Sequence, residues 1–162
     1  MVVGILSDSH GDARIVSSAL RILADAGAEV FFHCGDIGGE AVFDELIGRR
    51  CWFVWGNMDR QTDGLRAYAQ TVGLQEADPE KGIDLGGKTI GLWHGSERGF
   101  RGAVRSGRFD YVFFGHTHAQ SDVRKGKTRA INPGALHRAR VKTVATLDLE
   151  TDEVRFHVVD GG

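Results

Sequence analysis

Cysteine is scarce: Cys34 and Cys51 are the only two in 162 residues. Two thiols cannot build a disulfide framework in a chain of this length, so a reducing compartment is expected. Long apolar runs are missing as well. The opening "MVVGILSDSHGD" has no basic leader and turns polar at Ser7. That argues against a signal peptide or a membrane span there, and for a cytoplasmic protein. Charge of one sign is not in excess, the formal net charge being −2, so no global field would gather nucleic acid or an anionic membrane. The charge is uneven, with eleven Lys/Arg against two acids from Arg98 to Lys142, and nine against twenty elsewhere. Aromatics are not interleaved with those bases, as a nucleic-acid stacking platform requires. The stretch reads as a solvated basic face, or as a rim that draws anionic substrate. Repeats, low-complexity tracts and linkers are also lacking, and the length suits one domain over residues 1–162.

What is present is an ordinary globular composition, 41% apolar and 26% charged, in which short apolar runs alternate with helical spacing. Val2 to Leu6 predicts a buried strand. Val16, Ala19, Leu20 and Leu23 recur at helical spacing, with Asp12 placed to cap the start and Gly27 to stop the end. "EVFFHC" (Glu29 to Cys34) predicts a strand, Ala41 to Ile47 a helix, "CWFVW" (Cys51 to Trp55) a strand and Asp59 to Val72 a further helix. After the Gly86-Gly87 turn signal, Lys88 to Trp93 predicts a strand. Phe100 to Gly107 predicts a short helix and Asp110 to Phe114 a strand. Hairpins are expected around Gly126 and across Glu150 to Asp152. The pattern is mixed α/β, with strand–helix units first and antiparallel hairpins last.

Five polar clusters each follow an apolar strand. They are Asp8-Ser9-His10, Gly35-Asp36, Gly56-Asn57-Met58-Asp59, His94-Gly95 and Gly115-His116-Thr117-His118. On an extended segment, His116 and His118 would project to one face. Ligands of α/β sheets collect at the carboxyl ends of strands. Convergence of these ends would assemble two carboxylates, one amide and four imidazoles. Seven donors exceed what one tetrahedral ion uses and suit two ions sharing a carboxylate.

This ordered set resembles the calcineurin-like metallophosphoesterase superfamily: Asp-x-His, Gly-Asp, Gly-Asn-x-Asp/Glu, His, then Gly-His-x-His. The short chain and "NPGA" (Asn132 to Ala135) look most like the small bacterial and archaeal phosphodiesterase branch. The resemblance implies a four-layer α-β-β-α sandwich of two mixed sheets flanked by helices. It implies that Asp8, His10, Asp36 and His118 hold one ion, that Asn57, His94 and His116 complete a second, and that Asp36 bridges them. Asp36 and Asn57 are then the residues closest to catalysis. The implied cofactors are two divalent transition-metal ions, Mn²⁺ foremost, with Fe, Ni²⁺, Co²⁺ and Zn²⁺ compatible with the same donors. The implied reaction is phosphodiester hydrolysis by a hydroxide bridging the ions, on a small phosphoester substrate. Relatives in the branch often form dimers or tetramers, so a homo-oligomer is an expectation.

One position departs from the pattern. Many members carry a histidine directly after the metal-binding asparagine, where it protonates the leaving group. Met58 stands there, and a thioether donates no proton. Leaving groups that depart without protonation, such as aryl oxides, are therefore expected. Met58 also gives weight to a non-catalytic scaffold of the same fold, as in a retromer subunit. A phosphomonoesterase or nucleotide hydrolase is a further alternative. Around the core motif, His33 and Asp59 are candidates to support the ligands from behind, against readings as a structural histidine and a helix-start acid. His137 and His157 lack any motif and are expected at the surface or in a hairpin. Arg138 and Arg140 are expected in solvent, with phosphate contact as their functional alternative. Trp52, Trp55 and Trp93 are expected in or near the core.

Overall fold

The computed structural model describes residues 1–60 and 63–160. Its first apolar run forms β1 (Val2–Leu6), buried from Val3 onward. Helix α1 (Ala13–Asp25) follows. Ile15, Val16, Ala19, Leu20 and Leu23 fill its inner face, and Asp12 caps it by accepting a hydrogen bond from the Ile15 N–H at 3.2 Å. Gly27, at φ +93°, turns the chain out of the helix in the left-handed conformation that glycine adopts most readily. The chain continues through β2 (Ala28–His33), α2 (Glu40–Leu46), β3 (Cys51–Phe53), α3 (Asp63–Thr71) and β4 (Gln75–Glu76). The second half comprises β5 (Ile83–Leu85), β6 (Lys88–Leu92), α4 (Phe100–Arg105), β7 (Tyr111–Phe113), β8 (Ser121–Lys125), β9 (Thr128–Asn132), β10 (Thr143–Asp148) and β11 (Glu153–Val158).

Two sheets result. One has the order β11-β10-β1-β2-β3-β4, the other β5-β6-β7-β9-β8. Strands β1 to β4 run parallel, as do β6, β7 and β9, while β10, β11, β5 and β8 are antiparallel additions. Three apolar clusters separate four layers. Val3, Ile5, Phe32, Ile90, Phe113 and Leu147 lie among the residues packed between the sheets. Helices α1, α2 and α3 cover the outer face of the first sheet through Leu20, Phe43 and Ala69, and α4 covers the second over Phe109 and Val112. Each fully buried side chain of this size contributes roughly 1.5–3 kcal/mol of transfer free energy. The expected four-layer sandwich of two mixed sheets is the fold observed.

Several local expectations are sharpened. Residues 61 and 62, within the helix expected from Asp59, lie outside the described residues, and the helix itself runs Asp63–Thr71. Strands β4 and β5 add two short edges: the two residues of β4 are both exposed, so no apolar pattern announced them. Trp55 and Trp93 are buried, while Trp52 is half-buried and stacks on Phe32 with ring centroids 5.7 Å apart.

Candidate metal centre

All five polar clusters follow the ends of parallel strands, β1, β2 and β3 in one sheet and β6 and β7 in the other. Parallel strands in register end on the same side, so topology alone gathers the clusters along one edge of the sandwich. Backbone bonds then lace the loops together. Asp8 N–H donates to Gly35 O at 3.0 Å, His10 N–H to Asp36 O at 2.9 Å and Gly115 N–H to His94 O at 2.9 Å. Between the two sheets, His116 N–H donates to Asp8 Oδ2 at 3.2 Å and the His94 ring nitrogen Nδ1 bonds Cys34 O at 2.8 Å.

Close approach depends on two glycines. A Cβ on Gly56 would stand 2.1 Å from Asp36 Oδ1, and one on Gly115 would stand 1.9 Å from Ser7 Oγ and 2.6 Å from Asp8 Oδ2. Any side chain at either position would displace a carboxylate. The loop backbones are strained as well. Among the described residues seven non-glycines have positive φ, and five of them are Asp8, His10, Asp36, His116 and His118. Such conformations cost of order 1–3 kcal/mol each and persist where surrounding structure imposes them. His116 and His118 are therefore not on an extended segment, as their i, i+2 spacing suggested. Strand β7 ends at Phe113, and both imidazoles sit in a left-handed turn. The turn separates them: His116 packs against His94 at 5.1 Å between ring centroids, and His118 Nε2 approaches Asp8 Oδ1 at 3.2 Å.

The seven donors come together. Asp8, His10 and His118 place ligand atoms within 4.8 Å of one another, as do Asp8, Asp36 and His94. Asp36 Oδ2 lies 3.4 Å from His10 Nε2 and 3.5 Å from His94 Nε2. Asn57 Oδ1 lies 2.9 Å from His94 Nε2. The cluster fits cations. Asp8 Oδ1 and His10 Nε2 are sealed from solvent without a hydrogen-bond partner, although buried polar atoms are ordinarily satisfied. With His94 Nδ1–H given to a carbonyl, its Nε2 lone pair faces carboxylate and amide oxygens. Acceptors turned toward one another in this way are what a shared divalent ion resolves.

Of the two supporting candidates, His33 takes its structural reading and Asp59 takes neither of its two. His33 is fully buried. Its Nδ1 accepts from Gly35 N–H at 3.3 Å and its Nε2–H donates to Ser9 Oγ at 2.9 Å, whose hydroxyl donates to Ile37 O at 3.0 Å. Burial, with His94 and His10 adding to it, pushes the His33 pKa down to about 3, so the ring is neutral. Asp59 is neither a helix-start acid nor an acceptor for a ligand imidazole. It takes Gly56 N–H at 2.8 Å on one oxygen and Gly38 N–H at 2.9 Å on the other, clamping the loop after β3 to the loop after β2. Asn132 supports the histidine turn, its amide donating to Gly115 O at 2.8 Å and Thr117 Oγ1 at 3.0 Å.

Two residues escaped the sequence. Glu97 accepts from His94 N–H at 2.7 Å and Gly95 N–H at 2.6 Å, holding the ligand-bearing turn; an acid three residues past His94 was the available signal. His137, expected at the surface, is half-buried with its ring 5.1 Å from that of His10. The loop after β9 brings it there, since Leu136 N–H bonds Ser7 O at 3.1 Å. Burial and then His10 push the His137 pKa down. His157 lies away on β11, in contact with Thr146 Oγ1 at 2.9 Å.

An α-β-β-α sandwich with carboxylates and imidazoles gathered at its parallel strand ends has the build of a metal-dependent hydrolase. The chain belongs to the calcineurin-like phosphoesterase superfamily, whose domain model matches residues 1–152, and is accordingly a phosphoric ester hydrolase of a divalent-metal family. It is 26% identical to a phosphodiesterase of Methanocaldococcus jannaschii over 99% of this chain and 100% of that protein. A solved archaeal phosphodiesterase superposes with a TM-score of 0.87 at 26% identity, covering 98% of this chain and 99% of the other. Vps29 of Entamoeba histolytica in complex with Zn²⁺ shares the fold, with a TM-score of 0.68 at 24% identity, over 100% and 95% of the two chains. Among the described residues, no helix is long and apolar enough to cross a membrane.

Proposed function

We propose that this chain is a phosphodiesterase whose site holds two divalent ions, with Mn²⁺ the first candidate. Asp8, His10, Asp36 and His118 would hold one ion; Asn57, His94 and His116, with Asp36 shared, would hold the other. The observation that carries the reading is the position of Asp36 Oδ2, 3.4 Å from His10 Nε2 and 3.5 Å from His94 Nε2. A single carboxylate thus stands between the two halves of the donor set.

Divalent ions bound there supply Lewis acidity and lower the pKa of a bound water from 15.7 towards about 7. The protein's part is placement. Met58 N–H donates to Asp36 Oδ1 at 2.9 Å, leaving Oδ2 free for metal and turning this carboxylate into the central strut. His94 is held in one tautomer by Cys34 O, and its turn by Glu97, so its Nε2 is presented without reorganisation. The Met58 side chain is 60% exposed and offers no proton to a departing oxygen. Ester groups that leave as stabilised anions, aryl oxides above all, suit such a site. The similarity to phosphodiesterases over full length favours diesters over monoesters. A scaffold reading gains from Met58 and from the fold of Vps29, but a scaffold has no use for seven converging donors.

Asp36→Ala should lower hydrolysis of bis-p-nitrophenyl phosphate by at least about 10²-fold while the far-UV circular dichroism stays native. Undiminished Mn²⁺-dependent turnover in that variant would sink the ligand assignment. Wild-type protein inactive on every aryl diester, across Mn²⁺, Fe²⁺, Co²⁺, Ni²⁺ and Zn²⁺, would favour the scaffold.

A further inference from the structure

We propose that the open groove beside His118 is the subsite for one flat aromatic ester arm of the substrate, an aryl or nucleobase-bearing group; the inference rests on the phosphodiesterase reading above. The groove encloses about 490 Å³ between Ala119, on the loop after β7, the run Ala139, Arg140 and Val141 before β10, and Val158 at the end of β11. His118 forms part of its wall, and the same imidazole belongs to the Asp8, His10, His118 donor group. The groove therefore adjoins the candidate metal centre at His118, and a side arm of a phosphoester bound at that centre would lie next to it. Its volume falls within the roughly 300–1,000 Å³ of small-molecule sites.

The walls match a flat apolar face. Val141 and Val158 are 56% and 57% exposed, and neither belongs to the three apolar clusters of the core. A single exposed valine is unremarkable, but two lining one groove that leads from a ligand cluster form a small apolar platform. Arg140 is exposed and, among the described residues, makes no hydrogen bond or ion pair. An unpaired guanidinium on an apolar rim stacks on aromatic π faces. A dialkyl diester would leave both features unused. For an aryl arm the same preference follows from Met58, because an aryl oxide leaves as a stabilised anion and needs no proton from the protein.

The test compares metal-loaded wild type with Val158→Asp, Val141→Asp and Arg140→Ala. The substrate is bis-p-nitrophenyl phosphate, and dimethyl phosphate, which has no flat arm, serves as competitive inhibitor. The KM should rise about fivefold or more in each variant, with the Ki of dimethyl phosphate unchanged. In Zn²⁺-loaded, ¹⁵N-labelled wild type, diphenyl phosphate should shift the amide resonances of Ala119, Ala139, Val141 and Val158, and dimethyl phosphate should not. An unchanged KM in folded variants, a Ki that rises in step with KM, or amide shifts confined to other surfaces would each overturn the groove assignment while leaving the phosphodiesterase reading intact. A wild type that hydrolyses no diester with any metal would remove both.

Discussion

His33 accepts a backbone N–H on one ring nitrogen and donates to Ser9 on the other, so its neutral form is fixed from both sides. The consequence for stability has a definite sign. The folded pKa is about 3 against an ordinary 6.5. Between those values the unfolded chain binds a proton that the folded ring refuses, so stability rises with pH by up to about 1.4 kcal/mol per unit. The contribution is complete above pH 6.5 and is lost as the pH falls towards 3. His33→Gln, which keeps a donor for Ser9 and removes the titration, should flatten this slope. In metal-free protein, the fall in unfolding free energy from pH 7.5 to pH 5, measured by urea titration, should be roughly 2 kcal/mol smaller in the variant. An equal fall in both proteins would mean that His33 titrates freely. At this scale the donors were legible because their chemistry is spelled out locally, Asp-x-His and Gly-His-x-His, at strand ends. Glu97 and His137 were not, since the one works through backbone amides and the other reaches the site only by a loop returning from β9.

At the scale of elements, the decisive connection is the Asp59 clamp. Two loops, one after β2 and one after β3, carry Asp36 and Asn57, and neighbouring strands alone do not set the distance between their tips. Asp59 does so by accepting Gly38 N–H and Gly56 N–H on separate oxygens. Removing it leaves two backbone donors without their acceptor, at about 1–3 kcal/mol for each that stays buried. Asp59→Ala should thus lower the urea midpoint and weaken Mn²⁺ binding, read by calorimetry, by about 10-fold to 100-fold. Asp59→Asn, which retains one acceptor oxygen, should fall between the two. Metal affinity unchanged in Asp59→Ala would show that the loop tips are held by other contacts. The elements themselves were readable where period and length were strong, as in β1, α1 and the hairpins. They were unreadable where pairing partners create them, as in β4, whose two exposed residues become a strand only beside β3.

Across the whole molecule, a sandwich with a well-filled interior imposes strain on the site that the site does not relieve by itself. Five ligand candidates hold left-handed backbone conformations, a feature invisible in the motif because Asp and His give no hint of φ. The mixed α/β character was legible from alternating apolar runs and the four layers from the family resemblance; the strained turns were legible from neither. His116 tests this division. It is exposed at φ +67°, so glycine there removes strain and little packing, while the backbone N–H to Asp8 survives. His116→Gly should raise the unfolding free energy of metal-free protein by about 0.5–1 kcal/mol, a Tm increase of about 1–4 °C. It should also lose part of the stabilisation that Mn²⁺ gives wild type, which grows as RT ln(1 + [Mn²⁺]/Kd) and disappears on chelation. The two effects pull the same variant in opposite directions, so calorimetric scans with chelator and with metal should cross: His116→Gly melts above wild type without metal and below it with metal. A variant less stable than wild type in chelator would mean that the turn is relaxed, and that the fold stores no strain at its metal ligands.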